Sequence, residues 1–280
     1  MDHPDRPPKM LDDAEQEQAA GVAPLRPHVI HEVVREEGEV EIRRSMHALA
    51  WSGFAAGGSM GFSFLGTAML RAGLPDEPWR HLVESLGYSL GFVIVILGRQ
   101  QLYTESTLTA ALPVLTNPSW KSFARMARLW TIVLVANLLG TFLFAALILS
   151  EPIFKPAIYH ALLTVSKQSV SDTFGPTVLK ALLAGWLIAL MVWLLPNARA
   201  SRLWVIIIVT YSVSLGYFSH IIAGSTEAIF AVYTGQASFF GGYVWHFFIP
   251  TLIGNTIGGT SLVALLNHAP VAGELREGDT

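Results

Sequence analysis

Polar residues break a long apolar segment at Gly98-Arg99-Gln100-Gln101-Leu102-Tyr103-Thr104-Glu105-Ser106-Thr107, and a second one at Gly216-Tyr217-Phe218-Ser219-His220. At both places a membrane-crossing helix would otherwise continue. Backbone groups that are freed at membrane depth cannot bond to lipid, so such a break is stable only against protein or a water-filled cavity. Two breaks at corresponding positions of two halves are typical of a translocation pathway. The pattern therefore predicts a channel or a carrier.

The amino-acid composition is that of a membrane protein. Of the 280 residues, 52% are hydrophobic and only 14% are charged, whereas soluble domains carry about 25% charged residues. The chain has no cysteine, which excludes disulfides, thiolate metal sites and cysteine nucleophiles. The sequence also lacks a nucleotide-binding loop, a metal-ligand cluster and the spacing of a catalytic triad. We therefore expect neither an enzyme nor a bound cofactor or metal.

Six apolar segments are long enough to cross the hydrocarbon core of a bilayer, which takes about 20 residues. They cover residues 48–71, 82–114, 124–150, 176–196, 203–234 and 245–267. The second and fifth segments are too long for one simple crossing. Each is predicted to form two half-helices around a loop, near 98–106 and near 216–226. Residues 48–268 would then form one all-α transmembrane channel domain.

The two ends of the chain are predicted to lie outside this domain. Residues 1–28 are rich in Pro, Asp, Glu and Gln, which predicts a disordered N-terminus. The first 47 residues contain no apolar run of the kind found in signal peptides, so we expect no cleavable signal peptide. Residues 29–47 mix valines with charged side chains and predict an amphipathic helix on the membrane surface. Residues 269–280 form a C-terminal tail. Basic residues concentrate in alternate connections, so the positive-inside rule predicts that both termini are cytoplasmic.

An internal repeat indicates that the six segments are two inverted halves. The third segment contains Asn137-Leu138-Leu139-Gly140 and the sixth contains Asn255-Thr256-Ile257-Gly258, each an Asn-x-x-Gly motif within an apolar run. These asparagines follow Thr104 and His220 at similar distances. Three crossings leave the chain on the opposite side of the membrane, so the second set of three runs in the opposite direction. The pattern therefore predicts a 3+3 inverted repeat. We expect Asn137, Asn255 and Gly258 to support the broken segments structurally.

Small residues recur every four positions in the first and fourth segments, which lets helix backbones approach closely. They are Gly53, Gly57 and Gly61, and Ala181, Gly185 and Ala189. Packing within one bundle and packing between subunits both explain this spacing.

His220 and Thr104 are the candidate pore residues of the two breaks. Ionisable side chains at membrane depth mostly line pathways, although a buried histidine also serves as a hydrogen-bonded structural group. Histidine changes its charge near physiological pH, so His220 could lend a proton to an anion. A weak acid that crosses in its neutral form avoids the cost of moving a charge into a low dielectric. Thr104 could donate its hydroxyl to His220 or to substrate, or bond back to its own broken helix.

Glu105 and Glu227 are predicted near the starts of the second half-helices. There a carboxylate stabilises the helix N-terminus. Alternatively, the two carboxylates line the pore mouths, repel anions and favour neutral or cationic solutes. We expect Arg99 to pair with Glu105, because a lone arginine at that depth would be costly.

These motifs resemble the formate/nitrite transporter family over residues 45–268. Leu102-Tyr103-Thr104-Glu105-Ser106-Thr107 looks like the family's Leu-Phe-Thr-Ser-x-x loop. Gly254-Asn255-Thr256-Ile257-Gly258-Gly259 and the loop around His220 add to the resemblance. Arg99-Gln100-Gln101-Leu102, together with the acidic N-terminus, is most similar to the YfdC-type branch of bacterial inner-membrane proteins.

The resemblance implies an aquaporin-like protomer of six transmembrane helices, with helices 2 and 5 broken, in a homopentamer within the bacterial inner (plasma) membrane. It implies a lipid bilayer, further copies of the chain and a small monovalent anion such as formate, nitrite or acetate as partners, with or without a proton, and no nucleic acid. On that alignment Thr104 lies on the mobile loop of the second segment and faces His220. Four more residues fall at or beside the apolar constrictions: Tyr88, Phe92, Tyr103 and Val213.

The sequence departs from the family's formate channels around these positions. Ser219 stands where they have glutamate, residues 221–224 lack their asparagine, and Gly185 replaces another asparagine. Lys167 lies two positions from their vestibule lysine. These departures keep two alternatives open: the same fold passing a neutral solute or a cation, and a non-conducting membrane scaffold or sensor whose N-terminus binds a cytoplasmic partner.

Overall fold

The described residues are helical in every regular element, which confirms the predicted all-α class. The computed structural model describes residues 12, 14–15, 23–150 and 153–264. Most of the segment 1–28 and the whole tail after residue 264 lie outside this description. The helices, with their bounds, are α1 (Pro27–Arg43), α2 (Met46–Gly73), α3 (Arg80–Leu97), α4 (Tyr103–Thr109), α5 (Ala111–Thr116), α6 (Trp120–Leu147), α7 (Pro156–Ser169), α8 (Phe174–Leu194), α9 (Arg202–Leu215), α10 (Ala223–Tyr233), α11 (Phe239–Phe248), α12 (Ile249–Ile257) and α13 (Gly258–Ala264).

The six apolar segments correspond to α2, to α3 through α5, to α6, to α8, to α9 and α10, and to α11 through α13. Among the described helices, α3, α6 and α8 are each long and apolar enough to cross a membrane. The last three helices follow one another without a gap, and α11 and α13 are wound as π-helices. Two helices lie outside the predicted segments: α1 near the N-terminus, and α7 in the connection between the third and fourth segments.

The second and fifth segments are each interrupted between two helices. After both α3 and α9 comes a glycine, and the next residue has a positive φ, 50° at Arg99 and 51° at Tyr217. The residue that follows, Gln100 or Phe218, donates its N–H to the carbonyl oxygen five residues earlier. This is the hydrogen bond of a Schellman helix end. The two interruptions therefore begin with the same backbone motif.

Small residues bring the helices of each half into backbone contact. A side chain on Gly57 would overlap the carbonyl group of Asn137, and one on Gly185 would overlap that of Asn255. Gly258 lies in the same way against the backbone of α8. Gly57 and Gly185 therefore serve packing within the chain, the first of the two explanations of the small-residue spacing, and Gly258 does the same.

The first helix packs against the short helix that follows the first break. Val34 and Ile42 of α1 are buried, and Gly38 lies against the carbonyl group of Thr109 at the end of α4. The Thr109 hydroxyl donates to Glu41 at 2.5 Å. Burial raises the pKa of the Glu41 carboxyl above its usual value, although hydrogen bonds from Thr109 and Gln101 oppose the shift. α1 is therefore joined to the first break by both packing and hydrogen bonding.

Candidate pore site

Two cavities lie at opposite ends of α3. The first, the His220 cavity, has a volume of about 240 Å³ and is lined near the start of α3 by Glu84 and Tyr88. The second, the Glu105 cavity, has a volume of about 800 Å³ and is lined near the end of α3 by Ile96. Because one helix reaches both cavities with its two ends, they approach the interrupted segments from opposite sides.

His220 and Thr104 meet at the inner end of the His220 cavity. The Thr104 Oγ1 atom lies 2.8 Å from the His220 Nε2 atom, and both side chains are almost completely buried. The other ring nitrogen, Nδ1, accepts the backbone N–H of Ala223 at 3.2 Å. A neutral imidazole carries one proton, so this contact assigns it to Nε2, which donates to Thr104. Thr104 thus accepts from His220, whereas the sequence favoured a donation in the opposite direction, and the alternative bond back to its own helix is not seen among the described residues. The hydroxyl proton of Thr104 remains available to another acceptor.

Apolar side chains close the space around this pair. The Phe92 ring packs edge-on to the His220 ring with 5.0 Å between centroids, and the Tyr88 ring lies 5.4 Å from that of Phe92. Val213 is fully buried in the same apolar cluster. Tyr103 belongs to it as well, and its hydroxyl lies 2.9 Å from the hydroxyl of Thr256. An ion at this point would lose its water and find few polar partners.

Arg99 does not pair with Glu105 as predicted. Its guanidinium donates to Glu37 of α1 at 2.6 Å, and 73% of the Arg99 side chain is exposed. The arginine is therefore not a lone charge at membrane depth, because the turn after α3 directs it toward α1. Glu105 lies in the first turn of α4, where the helix dipole favours a carboxylate, and it lines the second cavity.

Glu227 lies away from the helix start. It is the fifth residue of α10, which has no acidic residue in its first turn, so the predicted role at a helix N-terminus is wrong for Glu227. It lines the His220 cavity. In the described part of the chain, no hydrogen bond or ion pair reaches its carboxylate. The two glutamates thus occupy different cavities and different positions in their helices.

Charged residues at the mouth of the His220 cavity were not predicted from the sequence. Lys180 lines the cavity and donates to Asp172 at 2.6 Å, whereas Lys167 is not among the lining residues. His81 and Glu84 line it from α3. These residues come from the ends of different helices, so no short motif marks them. The spacing of His81 and Glu84 on one helix face was the available signal.

Asn137 and Asn255 hold the two interrupted segments in place. Each side-chain oxygen accepts a backbone N–H just after the break, from Tyr103 and from Ile221 respectively. Each side-chain nitrogen donates to the carbonyl oxygen two residues before that N–H and to a carbonyl oxygen of α2 or α8. Apart from the half-buried Ser219, the residues that make these bonds are buried, and an unpaired backbone group there would be costly. Neither asparagine lines the His220 cavity or the Glu105 cavity.

Comparison with known proteins places these features in context. The family model described as formate/nitrite transporter matches residues 28–269. The inner membrane protein YfdC of Escherichia coli (strain K12) is 40% identical over 252 residues, which are 90% of this chain and 81% of that protein. The formate channel FocA of the same organism is 25% identical over 230 residues, or 74% of this chain and 80% of that protein.

A solved structure is similar in fold. A pentameric formate channel with formate bound aligns with a TM-score of 0.67 at 22% identity, over 79% of this chain and 95% of that chain. At this identity the likeness concerns the fold, because the residues that contact a substrate can differ completely between such proteins.

Proposed function

The chain belongs to the formate/nitrite transporter family, as its motifs predicted, and from this premise we propose that it conducts small monovalent anions such as formate, nitrite or acetate across the bacterial inner membrane. The observation that carries the proposal is the contact between His220 and Thr104 at the inner end of a cavity. Membership of a family of channels and transporters also supports a membrane protein that is not an enzyme.

The contact provides a donor for an anion. With the imidazole proton on Nε2 and directed to Thr104, the hydroxyl proton of Thr104 is available to a substrate that arrives through the His220 cavity. The neighbouring ring of Phe92 and the buried Val213 disfavour a bare charge. We infer that the anion accepts a hydrogen bond from Thr104 here, takes up a proton from the water of the cavity and passes the apolar closure as a neutral acid, so that one proton crosses with each anion.

The architecture that we propose is a six-crossing protomer with a 3+3 inverted repeat and two broken crossings, assembled as a homopentamer with both termini in the cytoplasm. The matching helix ends at Arg99 and Tyr217 and the matching hydrogen bonds of Asn137 and Asn255 support the repeat. The pentameric formate channel of similar fold supports the assembly.

Flux measurements test the proposal. Purified protein in liposomes should take up formate, nitrite or acetate at pH 5–7. His220→Asn should change the pH dependence of this uptake, because asparagine cannot gain or lose a proton. His246→Gln, at an exposed histidine of α11, serves as the matched control. Absence of flux for every small weak acid, with protein shown to be folded, would remove the proposal and favour the scaffold alternative.

A neutral solute or a cation is the second candidate cargo, and the observation that favours it is the placement of one carboxylate in each cavity. Glu105 and Glu227 would repel anions if they are ionised during transport. Replacing both with glutamine should then abolish flux of the neutral or cationic solute. Unaltered flux of that solute in the double variant would show that the two carboxylates do not select it, and this candidate would be wrong.

A further inference from the structure

The mouth of the His220 cavity holds a hydrogen-bonded cluster that the proposed transport step does not use. Arg71 of α2 donates to both carboxylate oxygens of Glu84 at 3.0 Å. His81 lies beside Glu84 on α3 and stacks on Tyr217, in the turn after α9, with 4.0 Å between ring centroids and 4° between planes. The cluster therefore joins the first half of the chain to the second break.

We propose that His81 is a positioning residue that, as an imidazolium, holds the turn before His220 in place and raises anion flux, and that loss of its proton releases this turn. The proposal rests on the proposed function, because it assigns a pH-dependent control to the same pore.

The two ring nitrogens of His81 both face acceptors. Nδ1 lies 3.3 Å from Glu84 Oε1, and Nε2 lies 3.1 Å from the carbonyl oxygen of Leu215. A carbonyl oxygen and a carboxylate oxygen only accept hydrogen bonds, so the ring makes both bonds only with a proton on each nitrogen. Both oxygens of Glu84 accept hydrogen bonds from Arg71, as the oxygens of a carboxylate do. A neutral ring would lose one of its two bonds.

These bonds act on a strained part of the chain. The carbonyl oxygen of Leu215 is the last of α9, and Tyr217 follows two residues later with φ of 51°, a conformation that is unfavourable for a bulky side chain. A cationic ring stacked on tyrosine adds a cation–π attraction to the hydrogen bond. Because His220 follows Tyr217 by three residues, release of the turn moves the segment that presents His220 to Thr104.

The charged groups around His81 largely neutralise one another, so the proton on His81 changes the net charge of the cavity that an anion enters. Arg71 and Glu84 neutralise each other, and so do Lys180 of α8 and Asp172 before it. The other titratable groups of the cavity lining are Glu227 of α10, His220 and the hydroxyls of Tyr88 and Tyr217. The one charged residue of α9, Arg202, lies at the far end of that helix. An imidazolium at His81 therefore adds a positive charge to the cavity lining, and loss of its proton removes that charge.

Formate uptake into liposomes tests the proposal, with equal pH on both sides, from pH 5.5 to pH 8. The measured quantity is the ratio of wild-type flux to His81→Gln flux at each pH, because this ratio cancels the titration of formate and of the other groups. Histidine changes its charge within this range. We expect a ratio of about five at pH 5.5, the factor that corresponds to one hydrogen bond of about 1 kcal/mol, and a ratio close to one at pH 8.

Two more variants separate charge from shape. His81→Arg keeps a cation that can donate to both Glu84 and Leu215, so its flux relative to His81→Gln should not fall between pH 5.5 and pH 8. His160→Gln, at an exposed histidine of α7, should match the wild type at every pH. A wild-type to His81→Gln ratio that stays constant with pH overturns the proposal.

A readout without transport keeps this test independent of the proposed function. Nitrogen NMR of labelled histidines, assigned by comparison with His81→Gln, should show both ring nitrogens of His81 protonated at pH 5.5. Hydrogen exchange of residues 216–222 should be slower in the wild type than in His81→Gln at that pH. A neutral His81 ring, or equal exchange in both proteins, overturns the inference even if formate is conducted. Absence of flux together with the expected spectra would instead refute the proposed function alone.

Discussion

Asn137 and Asn255 make the same three hydrogen bonds to two different interruptions of the chain. Each accepts an N–H from the residue 34 positions before it, Tyr103 or Ile221, and donates to the carbonyl oxygen two residues earlier still. The third bond of each goes to the helix that begins its half, at Gly53 or Ala181. One buried amide thus fastens each non-helical segment to the bundle.

Replacing either asparagine with aspartate should destabilise the protein by a similar amount. Aspartate still accepts the N–H but cannot donate to the two carbonyl oxygens, and each buried group left unpaired costs about 1–3 kcal/mol. We expect the thermal midpoint in detergent to fall by about 5–10 °C for both Asn137→Asp and Asn255→Asp. Asn117→Asp, at an exposed helix end, is the control and should change little. A large difference between the two buried variants would contradict their equivalence.

Adding a methyl group at Gly57 should destabilise the protein, whereas the same change one residue later should not. A Cβ atom at Gly57 would overlap the carbonyl group of Asn137, and at Gly58 it meets no atom within 4 Å. Overpacking of this kind costs about 1–3 kcal/mol, while alanine in a helix interior gains up to about 1 kcal/mol over glycine. Thermal unfolding of Gly57→Ala and Gly58→Ala gives the comparison. Equal midpoints would show that α2 and α6 do not pack as described.

Removing the hydroxyl of Thr104 should lower formate flux more than removing its methyl group. Thr104→Val keeps the shape of the side chain but leaves the His220 Nε2–H without an acceptor. We expect flux to fall about tenfold, which corresponds to about 1.4 kcal/mol. Thr104→Ser keeps the hydroxyl and should stay within about twofold of the wild type. Equal flux in the valine and serine variants would mean that the hydroxyl has no part in conduction.

Glu41 should make the folded protein less stable as the pH rises. Burial raises the pKa of this carboxyl in the folded state, so the folded state binds more protons than the unfolded state above the usual value of about 4.3. Stability therefore falls as pH increases from that value through the raised one, and the loss is complete above it. Glu41→Gln removes this loss and still accepts the hydrogen bond from Thr109.

We expect the Glu41→Gln midpoint in detergent to equal that of the wild type at pH 4 and to exceed it at pH 7. Glu36→Gln changes an exposed position of the same helix and supplies the control. A wild-type midpoint that rises from pH 4 to pH 7 relative to Glu41→Gln would reverse the sign and contradict the prediction.

The apolar segments and their interruptions could be predicted from the sequence, because lipid demands long apolar runs and leaves breaks visible as polar residues. The register of the two halves could not. Counting from Thr104 to Asn137 gives 33 residues and from His220 to Asn255 gives 35, whereas the backbone hydrogen bonds make Tyr103 equivalent to Ile221. The two interruptions have equivalent backbone hydrogen bonds but different residue types, so a comparison of their sequences does not align them correctly.

Pairing of charges was the weakest part of the sequence-based prediction. Arg99 was expected to pair with Glu105, six residues away, but its left-handed backbone directs it to Glu37 of α1. The cluster of Arg71, His81 and Glu84 was missed because these residues come together only when the ends of α2, α3 and α9 pack against each other. Such contacts depend on tertiary packing, which local patterns do not encode.

The matching turns at Arg99 and Tyr217 are fastened by different partners, Glu37 at one cavity and His81 at the other. The two sets of contacts share no residue. A substitution at one turn can therefore change the barrier to entry on that side of the membrane alone, so the two entrances can diverge during evolution without altering the pair of His220 and Thr104.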